Sequence, residues 1–384
     1  RRKTGIGGKR GGGGWAAGSF LLSPPPPPPP PPDWRRGRLR SEAPASHEPC
    51  VVCPAEVTRA GVEGAEALPA MELVGGRPTR DWDREEAIWH YIFYEQLGWE
   101  IGGEGAVLVA DSPFSPRVDR ERLTQVMFER FNVAGLFVSE SGPLSLYAVG
   151  KTSGSVVDFG WGGVTVSPVS EGQTVRSGMR LLEEWGGAAL SGAFADGLRA
   201  AHPECGRLSR REVVGLYEQA VAFAPPGGTP GGDCGDLELE LPGGGSLQLT
   251  AAEREACTDA VFRGEPGKRP SLAESVAGGV LSSLDAAQRA QCCEGFLLSG
   301  GGSQAAGLSG AFQASMAEHL PLSNPLHLLQ RPDYMPEHTA QYAAWTGGAI
   351  LAKSVFTQNQ HVTKFDYEER SEERRVGKEC PLLC

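Results

Sequence analysis

Residues 143–162 read PLSLYAVGKTSGSVVDFGWG, and this stretch is the most informative one about the fold. Residues 143–150 are predicted to form a short helix. Residues 155–169, SVVDFGWGGVTVSPV, alternate around a cluster of glycines, which predicts two antiparallel strands joined by a glycine turn. A helix is therefore expected to lead directly into a β-hairpin.

Strands and helices alternate on both sides of this stretch. Residues 81–98 show helical spacing, with Asp81 as a candidate cap and Gly98 as the stop. The remaining predicted helices are at 119–131, 177–223 (broken at 202–206), 284–294, 304–320 and 338–352. The other predictions are strands at 106–110 and 135–139, a strand running into a glycine loop at 296–303, a loop at 225–236 and a hairpin at 237–250. This alternation, with glycine loops between strands and helices, predicts an α/β fold.

Composition excludes several classes of protein. The 384 residues are 40% hydrophobic and carry a formal charge of −11, which suits a large core and argues against nucleic-acid binding. No apolar run reaches about 18 residues, so we expect no membrane contact through a spanning helix. Nine cysteines are too few and too scattered for a disulfide scaffold, which favours a reducing compartment. No HExxH, GxSxG or Walker A motif occurs.

The N-terminal 70 residues differ from the rest of the chain. They are predicted to be a disordered, Gly/Pro-rich basic tail that is doubtful as native sequence, and Met71, the first methionine, is interpreted as lying near the true start. The nine prolines Pro24 to Pro32 form either a polyproline II ligand for a polyproline-binding domain or a segment without a role. Cys50 and Cys53 form a CxxC pair without a second pair nearby, so no metal site is expected.

The C-terminal residues 370–384 also look foreign. Residues 370–380, RSEERRVGKEC, resemble the in-frame translation of a DNA-sequencing adapter, so this segment is interpreted as an artefact; the alternative is a charged, solvated tail. Subtracting the +4 of residues 1–70 and the +1 of residues 370–384 from −11 leaves −16 for residues 71–369. The body of the protein is therefore more acidic than the whole chain suggests.

Five stretches in this order resemble the actin family. They are DWDREEAIWHYIFYEQL, RERLTQVMFERFNVAGLFV, PLSLYAVGKTSGSVVDFGWG, FLLSGGGSQAAG and AWTGGAILA. The resemblance runs from about Thr79 to Glu369, and residues 71–369 are taken as one actin-like domain. It implies a bilobed α/β fold of the actin, heat-shock chaperone and sugar-kinase type. In that fold two half-domains each offer a glycine hairpin to the phosphates of ATP, because glycine lets backbone N–H groups approach an anion closely.

The same resemblance implies an incomplete phosphate site. The family's first phosphate hairpin and the outer subdomain after it have no counterpart in residues 1–80, so the fold is expected to be truncated. In the second hairpin Asp158, Gly160 and Gly162 match the family. Phe159 replaces a small hydroxyl residue and Trp161 replaces an aspartate, which removes a carboxylate that would organise hydrated Mg²⁺.

Other positions that matter for ATP are also changed. The family's water-orienting Gln and His align with Ser141 and Thr165, and neither replacement polarises an attacking water in the same way. The Lys and Glu beside the adenine align with Glu218 and Gln219, so the first charge is reversed.

The adenosine loop keeps its backbone frame and loses its side-chain chemistry. Gly300 and Gly301 match the family, Gly302 and Ser303 replace two threonines, and Ala305 replaces the stacking aromatic. We therefore expect no catalytic residues, no metal site and no cofactor, or at most weak binding of ATP with Mg²⁺, because charge-assisted contacts dominate phosphate affinity.

The resemblance also implies an apolar cleft in which binding proteins of the actin family insert helices. Tyr147, Gly150, Thr152, Ile350 and Leu351 match this cleft. The alternative is that the same residues are simply core between subdomains. If the cleft is kept, its partners would be actin-binding or cytoskeletal proteins.

Two functions remain open at this level. The first is a non-catalytic cytoskeletal or scaffold protein, a pseudo-ATPase that is cytoplasmic and associated with the cytoskeleton. The second is an actin-like conformational switch or filament-associated subunit that binds ATP weakly. A gene model that lacks the exon for the first hairpin is a further alternative.

Overall fold

The two larger β-sheets of the described residues each have their own hydrophobic core, and a pair of helices lies between them. Two further sheets have two strands each. The computed structural model describes residues 17–20, 71–74, 77–225, 235–241, 244–264, 269–282, 284–319, 326–330, 332 and 337–375. Within these ranges every helix is too short or too polar to span a lipid bilayer.

The strands and helices keep the alternation expected of an α/β fold. The strands are β1 (Ala17–Phe20), β2 (Met71–Val74), β3 (Arg77–Arg80), β4 (Ala106–Asp111), β5 (Gly135–Glu140), β6 (Gly154–Phe159), β7 (Val164–Ser170), β8 (Gln173–Thr174), β9 (Arg180–Leu182), β10 (Leu237–Glu240), β11 (Ser246–Leu249), β12 (Phe296–Ser299) and β13 (Val362–Thr363). The α-helices are α1 (Trp82–His90), α2 (Arg117–Gln125), α3 (Ser141–Ala148), α4 (Gly187–Ala201), α5 (Arg210–Ala220), α6 (Ala251–Ala256), α7 (Asp259–Arg263), α8 (Leu272–Ala277), α9 (Ala286–Cys292), α10 (Leu308–Ala317), α11 (Ala343–Thr357) and α12 (Lys364–Arg375).

The first sheet has the strand order β1–β4–β5–β13. Strands β1, β4 and β5 are parallel, and β13 closes the edge antiparallel to β5. Asp111 and Glu140 are register partners at the carboxyl ends of β4 and β5. In open α/β sheets this edge is where ligands bind, so both carboxylates lie where function is expected.

Aromatic packing holds the outer helices on this sheet. Helix α1 continues as a π-helical turn, Tyr91–Gln96, which brings the fully buried Phe93 onto the core. Its ring stacks on Trp99 with centroids 4.8 Å apart and meets the edge of Phe131 at 5.2 Å. Burial of one such side chain contributes about 1.5–3 kcal/mol.

Helices α3 and α11 form the layer between the two sheets. Leu144 on α3 belongs to the core of the first sheet, whereas Leu146, two residues on, packs with Val156 of the second. Gly347 on α11 lies so close to α3 that a Cβ there would overlap the Leu144 carbonyl oxygen. The absence of a side chain therefore sets the distance between the two helices.

The second sheet has the order β12–β6–β7–β8, with β9 also paired to β7. β6 and β7 are antiparallel and form the predicted hairpin, while β12 runs parallel to β6 and places Ser299 beside Asp158. Helices α4, α5, α8 and α10 contribute to the large core that covers this sheet. Capping boxes begin α5, α6 and α8, and each is worth about 1 kcal/mol.

Most predicted elements are confirmed, including the hairpins at 155–169 and 237–250. The prediction of helix from residue 177 is wrong for its first ten residues, because Arg180–Leu182 forms β9 against β7. Pairing to a strand earlier in the chain overrides local helical propensity there. Helices α6, α7 and α8 were not predicted.

Both doubtful termini are only partly described. Of residues 1–70, only the strand Ala17–Phe20 is described, so the predicted tail, the run Pro24 to Pro32 and the pair Cys50 and Cys53 lie outside the described residues. At the other end α12 extends to Arg375, and residues 376–384 lie outside the described part.

Candidate functional site

The glycine hairpin between β6 and β7 is anchored on the start of α4. The Gly160 N–H donates to the Gly163 carbonyl at 3.1 Å and closes the turn. The Gly187 N–H donates to the Gly160 carbonyl at 3.0 Å, and the Ala188 N–H donates to the Trp161 carbonyl at 2.8 Å. Two of the free N–H groups at the start of α4 are thus satisfied by the hairpin itself.

Asp158, the residue before the last one of β6, lies in an environment that disfavours its charge. Burial raises the pKa of the Asp158 carboxyl from 3.8 to about 6. The neighbouring Ser299 hydroxyl lies near enough to lower that pKa and partly offsets the rise. Ser299 is only 2% exposed, and its hydroxyl has no hydrogen bond of normal geometry among the described residues. No described lysine or arginine forms an ion pair with Asp158.

The predicted adenosine loop follows β12 and packs against the hairpin. Gly300 has φ +86°, and a Cβ there would overlap the Asp158 carboxylate oxygen. At Gly302 a Cβ would lie 2.9 Å from the Cβ of Phe159. The Ser303 hydroxyl turns back and donates to the Gly300 carbonyl at 2.7 Å. The structure therefore brings the two predicted glycine loops together.

Two other predicted glycines differ from these. Gly162 and Gly301 are exposed, and a Cβ at either position would meet no atom within 4 Å. Their backbones face open space rather than other protein atoms. They are the positions at which a ligand could approach the backbone closely.

The two aromatic replacements behave in opposite ways. Phe159 is 4% exposed and meets the edge of Phe223 with ring centroids 6.5 Å apart. Trp161 is 41% exposed, and its ring lies against Gly187 at the start of α4, 3.1 Å from the position of a Cβ there. Phe159 has become core, whereas Trp161 presents an aromatic surface at the hairpin. The contact of Phe159 with Phe223 was not predicted, since 64 residues separate them.

The described residues do not fit hydrated Mg²⁺ with a triphosphate. Mg²⁺ takes oxygen ligands, usually one or two carboxylates with waters and phosphate oxygens. Asp158 supplies one carboxylate with a raised pKa, and Trp161 supplies none. Within the described ranges no cluster of three or more His, Cys, Asp or Glu side chains could hold a metal ion.

The other aligned positions are spread over several elements. Ser141 begins α3 and its carbonyl accepts the Ser145 hydroxyl at 2.8 Å, while Thr165 is the register partner of Asp158 on β7. Glu218 and Gln219 are exposed on α5, where the Gln219 amide donates to the Gly215 carbonyl at 2.8 Å. Only Thr165 is placed directly beside the hairpin carboxylate by strand pairing.

A charge cluster next to Ser141 was missed by the sequence analysis. The Arg120 guanidinium lies 3.0 Å from Asp111 and 3.2 Å from Glu140. Arg176, which follows β8 of the second sheet, also pairs with Glu140 and donates to the Pro113 carbonyl at 2.7 Å. The cluster therefore joins the carboxyl edge of the first sheet to the second sheet. Its four charges are spread over 65 residues, and no local motif marks them.

The predicted partner cleft divides into surface and core. Tyr147 and Leu351 are half-buried and pack with the α3–α11 core, whereas Ile350 is 49% exposed. Gly150 and Thr152 lie in the exposed turn after α3, where the Thr152 carbonyl accepts the Gly172 N–H at 2.7 Å. Ile350, Gly150 and Thr152 are thus accessible while Tyr147 and Leu351 pack with the core, and the binding cleft stays a prediction.

Comparison with known proteins identifies relatives over most of the chain. The family described as Actin matches residues 76–213. Actin-related protein 7 of Arabidopsis thaliana is 37% identical over 299 residues, which cover 76% of this chain and 80% of that protein. The Oryza sativa subsp. indica protein of the same name is 36% identical over 316 residues, covering 80% of this chain and 85% of its own length. Human actin-like protein 7A is 30% identical over 305 residues, covering 75% of this chain and 65% of its own length.

These relatives confirm the actin-like α/β fold and correct one detail. The sequence motifs alone predict the greatest similarity to actin-like protein 10, a divergent mammalian form. The relatives instead support a similarity to actin-related protein 7, not to actin-like protein 10 specifically.

Proposed function

Because the chain belongs to the actin family, we propose that it is a divergent actin-like cytoskeletal or scaffold protein that acts through protein–protein contacts and does not hydrolyse ATP. The observation that carries this proposal is the second phosphate hairpin. Trp161 stands there in place of a carboxylate, and the one remaining carboxyl, Asp158, is in a site that raises its pKa to about 6.

The electrostatics of this hairpin argue against phosphoryl transfer. Catalysis of phosphoryl transfer depends on positioning and on positive charge from metal ions and basic side chains. The described hairpin and glycine loop offer neither a metal-binding cluster nor an ion pair to Asp158. The indole of Trp161 adds bulk to the hairpin at the position where the family resemblance implies a carboxylate.

Isothermal titration with MgATP, together with a phosphate-release assay, tests this proposal. We expect no saturable binding at micromolar nucleotide and no phosphate release. Trp161→Asp restores the carboxylate, and Trp161→Ala, the matched control, removes only the bulk. If Trp161→Asp gains affinity for MgATP and Trp161→Ala does not, the missing carboxylate is the reason why the unaltered protein does not bind MgATP. Micromolar MgATP binding with turnover by the unaltered protein would overturn the proposal.

A weak nucleotide-responsive switch is the second candidate. It is favoured by Gly162 and Gly301, whose exposed backbones meet no atom within 4 Å of a Cβ position. Saturable nucleotide binding without turnover, accompanied by a change in the fluorescence of Trp161, would favour this switch over the scaffold.

For the scaffold, the α3–α11 cleft is the proposed contact surface for an actin-binding or cytoskeletal protein. The exposed Ile350 and the turn at Gly150 and Thr152 are the accessible parts of this surface. A helix with an apolar face would fit it. We further propose a cytoplasmic, cytoskeleton-associated location, which cell fractionation of the full chain would test.

A polyproline-binding domain remains a further proposed partner through Pro24 to Pro32. These prolines lie outside the described residues. Deleting them should abolish binding to an SH3, EVH1 or profilin-type domain if they form a ligand, and should change nothing if the segment has no role.

A further inference from the structure

A cavity of about 320 Å³ opens between α4, α6 and β11, away from both glycine loops. Its floor is apolar: Phe194, Leu198 and Leu249 line it and are each less than 5% exposed. Ligand sites in proteins are concave, mostly apolar and about 300–1,000 Å³ in volume, with few polar groups. The size and lining of this cavity fall in that class.

One wall of the cavity is made of small residues. Ala193, Gly197 and Ala201 follow one another at intervals of four on α4, so they share a face of the helix. A Cβ at Gly197 would meet no atom within 4 Å. Nothing among the described residues therefore fills the space above this wall.

Two carboxylates and one imidazole meet beside the cavity: His202 and Glu253 line it, and Glu204 pairs with His202 from outside the lining. His202 lies between two carboxylates, with Nδ1 3.3 Å from Glu204 and Nε2 3.2 Å from Glu253. Hydrogen bonds from the backbone and hydroxyl of Thr250 hold the pKa of Glu253 below its ordinary value, so it stays ionised at neutral pH. Burial raises the pKa of the Cys257 thiol to about 12, so that part of the lining stays neutral.

We propose that this cavity is a binding site for a small apolar molecule that carries a protonated amine. The hydrocarbon part would pack on Phe194, Leu198 and Leu249, and the ammonium group would lie beside Glu253, with Glu204 on the other side of His202. The shape and the apolar floor select the hydrocarbon, and the excess of carboxylate over imidazole selects the positive charge. None of the predicted nucleotide-site residues lines this cavity, so the proposal is independent of the ATP site.

Ligand-observed NMR and calorimetric titration of the full chain with 4-phenylbutylamine test the proposal, with 4-phenylbutyrate as the probe of equal size and opposite charge. We expect saturable binding of the amine and at least tenfold weaker binding of the carboxylate. Gly197→Leu fills the cavity and should abolish amine binding. Gly192→Leu is the matched control, because Gly192 is also on α4 with no atom within 4 Å of its Cβ position but does not line the cavity.

Two further results decide between selection by charge and unspecific apolar binding. Glu204→Gln should weaken binding of the amine several-fold and leave the carboxylate unchanged. Equal binding of the two probes, or amine binding that survives in Gly197→Leu, would overturn the proposal. If circular dichroism shows that Gly197→Leu does not fold, Gly197→Ala replaces it, with partial loss of amine affinity expected; unchanged affinity there would also overturn it.

Discussion

The glycines of the α3–α11 contact and those of the predicted nucleotide-site loops cannot all be given one purpose, because some of these glycines allow close packing and others leave the backbone open. At Gly347 a Cβ would overlap the backbone of α3, and at Gly300 it would overlap Asp158, so packing alone requires glycine at both positions. At Gly162 and Gly301 a Cβ would meet no atom within 4 Å. A glycine motif that matches a nucleotide-binding family is therefore not by itself a sign of nucleotide binding, because part of it serves the protein's own packing.

The largest expected effect is at the helix contact. Gly347→Ala should destabilise the protein by roughly 3 kcal/mol, since the new methyl group would press on backbone atoms that cannot rotate away. Urea unfolding followed by circular dichroism measures this. Gly310→Ala is the control, because Gly310 on α10 meets open space and alanine there should stabilise by about 0.5–1 kcal/mol. Equal effects of the two substitutions would show that the close contact of α3 and α11 is not formed.

Within the predicted adenosine loop, substitutions of the two glycines Gly300 and Gly301 should differ clearly in their effect on stability. Gly300→Ala should cost about 2 kcal/mol, since the new side chain would have to adopt φ +86° and would also press on Asp158. Gly301→Ala should lie within about 0.5 kcal/mol of the unaltered protein. Thermal unfolding of the two variants checks this. If Gly301→Ala loses as much stability as Gly300→Ala, the packing argument is contradicted.

A smaller effect is expected from the charge of Asp158. Its pKa of about 6 in the folded state lies above its ordinary 3.8, so the folded state binds the proton more tightly. The charged Asp158 therefore destabilises the folded state most strongly above pH 6, and this destabilisation disappears as the pH falls from 6 towards 3.8. Asp158→Asn should raise stability at pH 7.5 by about 1–2 kcal/mol, allowing for partial exposure, and should have little effect near pH 4. Unfolding curves at both pH values test this. If Asp158→Asn raises the stability equally at both pH values, that result would argue against the raised pKa.

The smallest effect on stability is expected on the cleft surface. Ile350→Asp should change stability by less than about 0.5 kcal/mol, because the side chain is 49% exposed, and should remove binding of a partner helix. Leu351→Asp should instead destabilise the protein by about 2 kcal/mol, since the half-buried Leu351 packs with the α3–α11 core. Pull-down and unfolding measurements on both variants separate surface from core. Unimpaired partner binding by Ile350→Asp would remove Ile350 from the contact surface.

Much of the fold and part of the candidate site could be predicted from local pattern. Alternation of apolar residues and the glycine turn identified β6 and β7, and the run FLLSGGGS identified β12 and its loop. The charge cluster of Asp111, Arg120, Glu140 and Arg176 could not be predicted, because two strands, a helix and a 3-10 turn that are apart in the sequence supply it. The same is true of β9, whose strand conformation depends on pairing with β7.

The order of most strands and helices, the position of the glycine loops and the place of Trp161 in the predicted phosphate hairpin follow from the amino-acid sequence without the structure. These features depend on residues that are near one another along the chain. The tertiary structure alone decided that Gly300 and Gly347 are needed for packing, that Asp158 lies where its charge is disfavoured, and that Ile350 is exposed while Leu351 packs in the core. Such properties depend on which distant segments meet, and that follows from burial of the whole set of apolar faces rather than from any one motif.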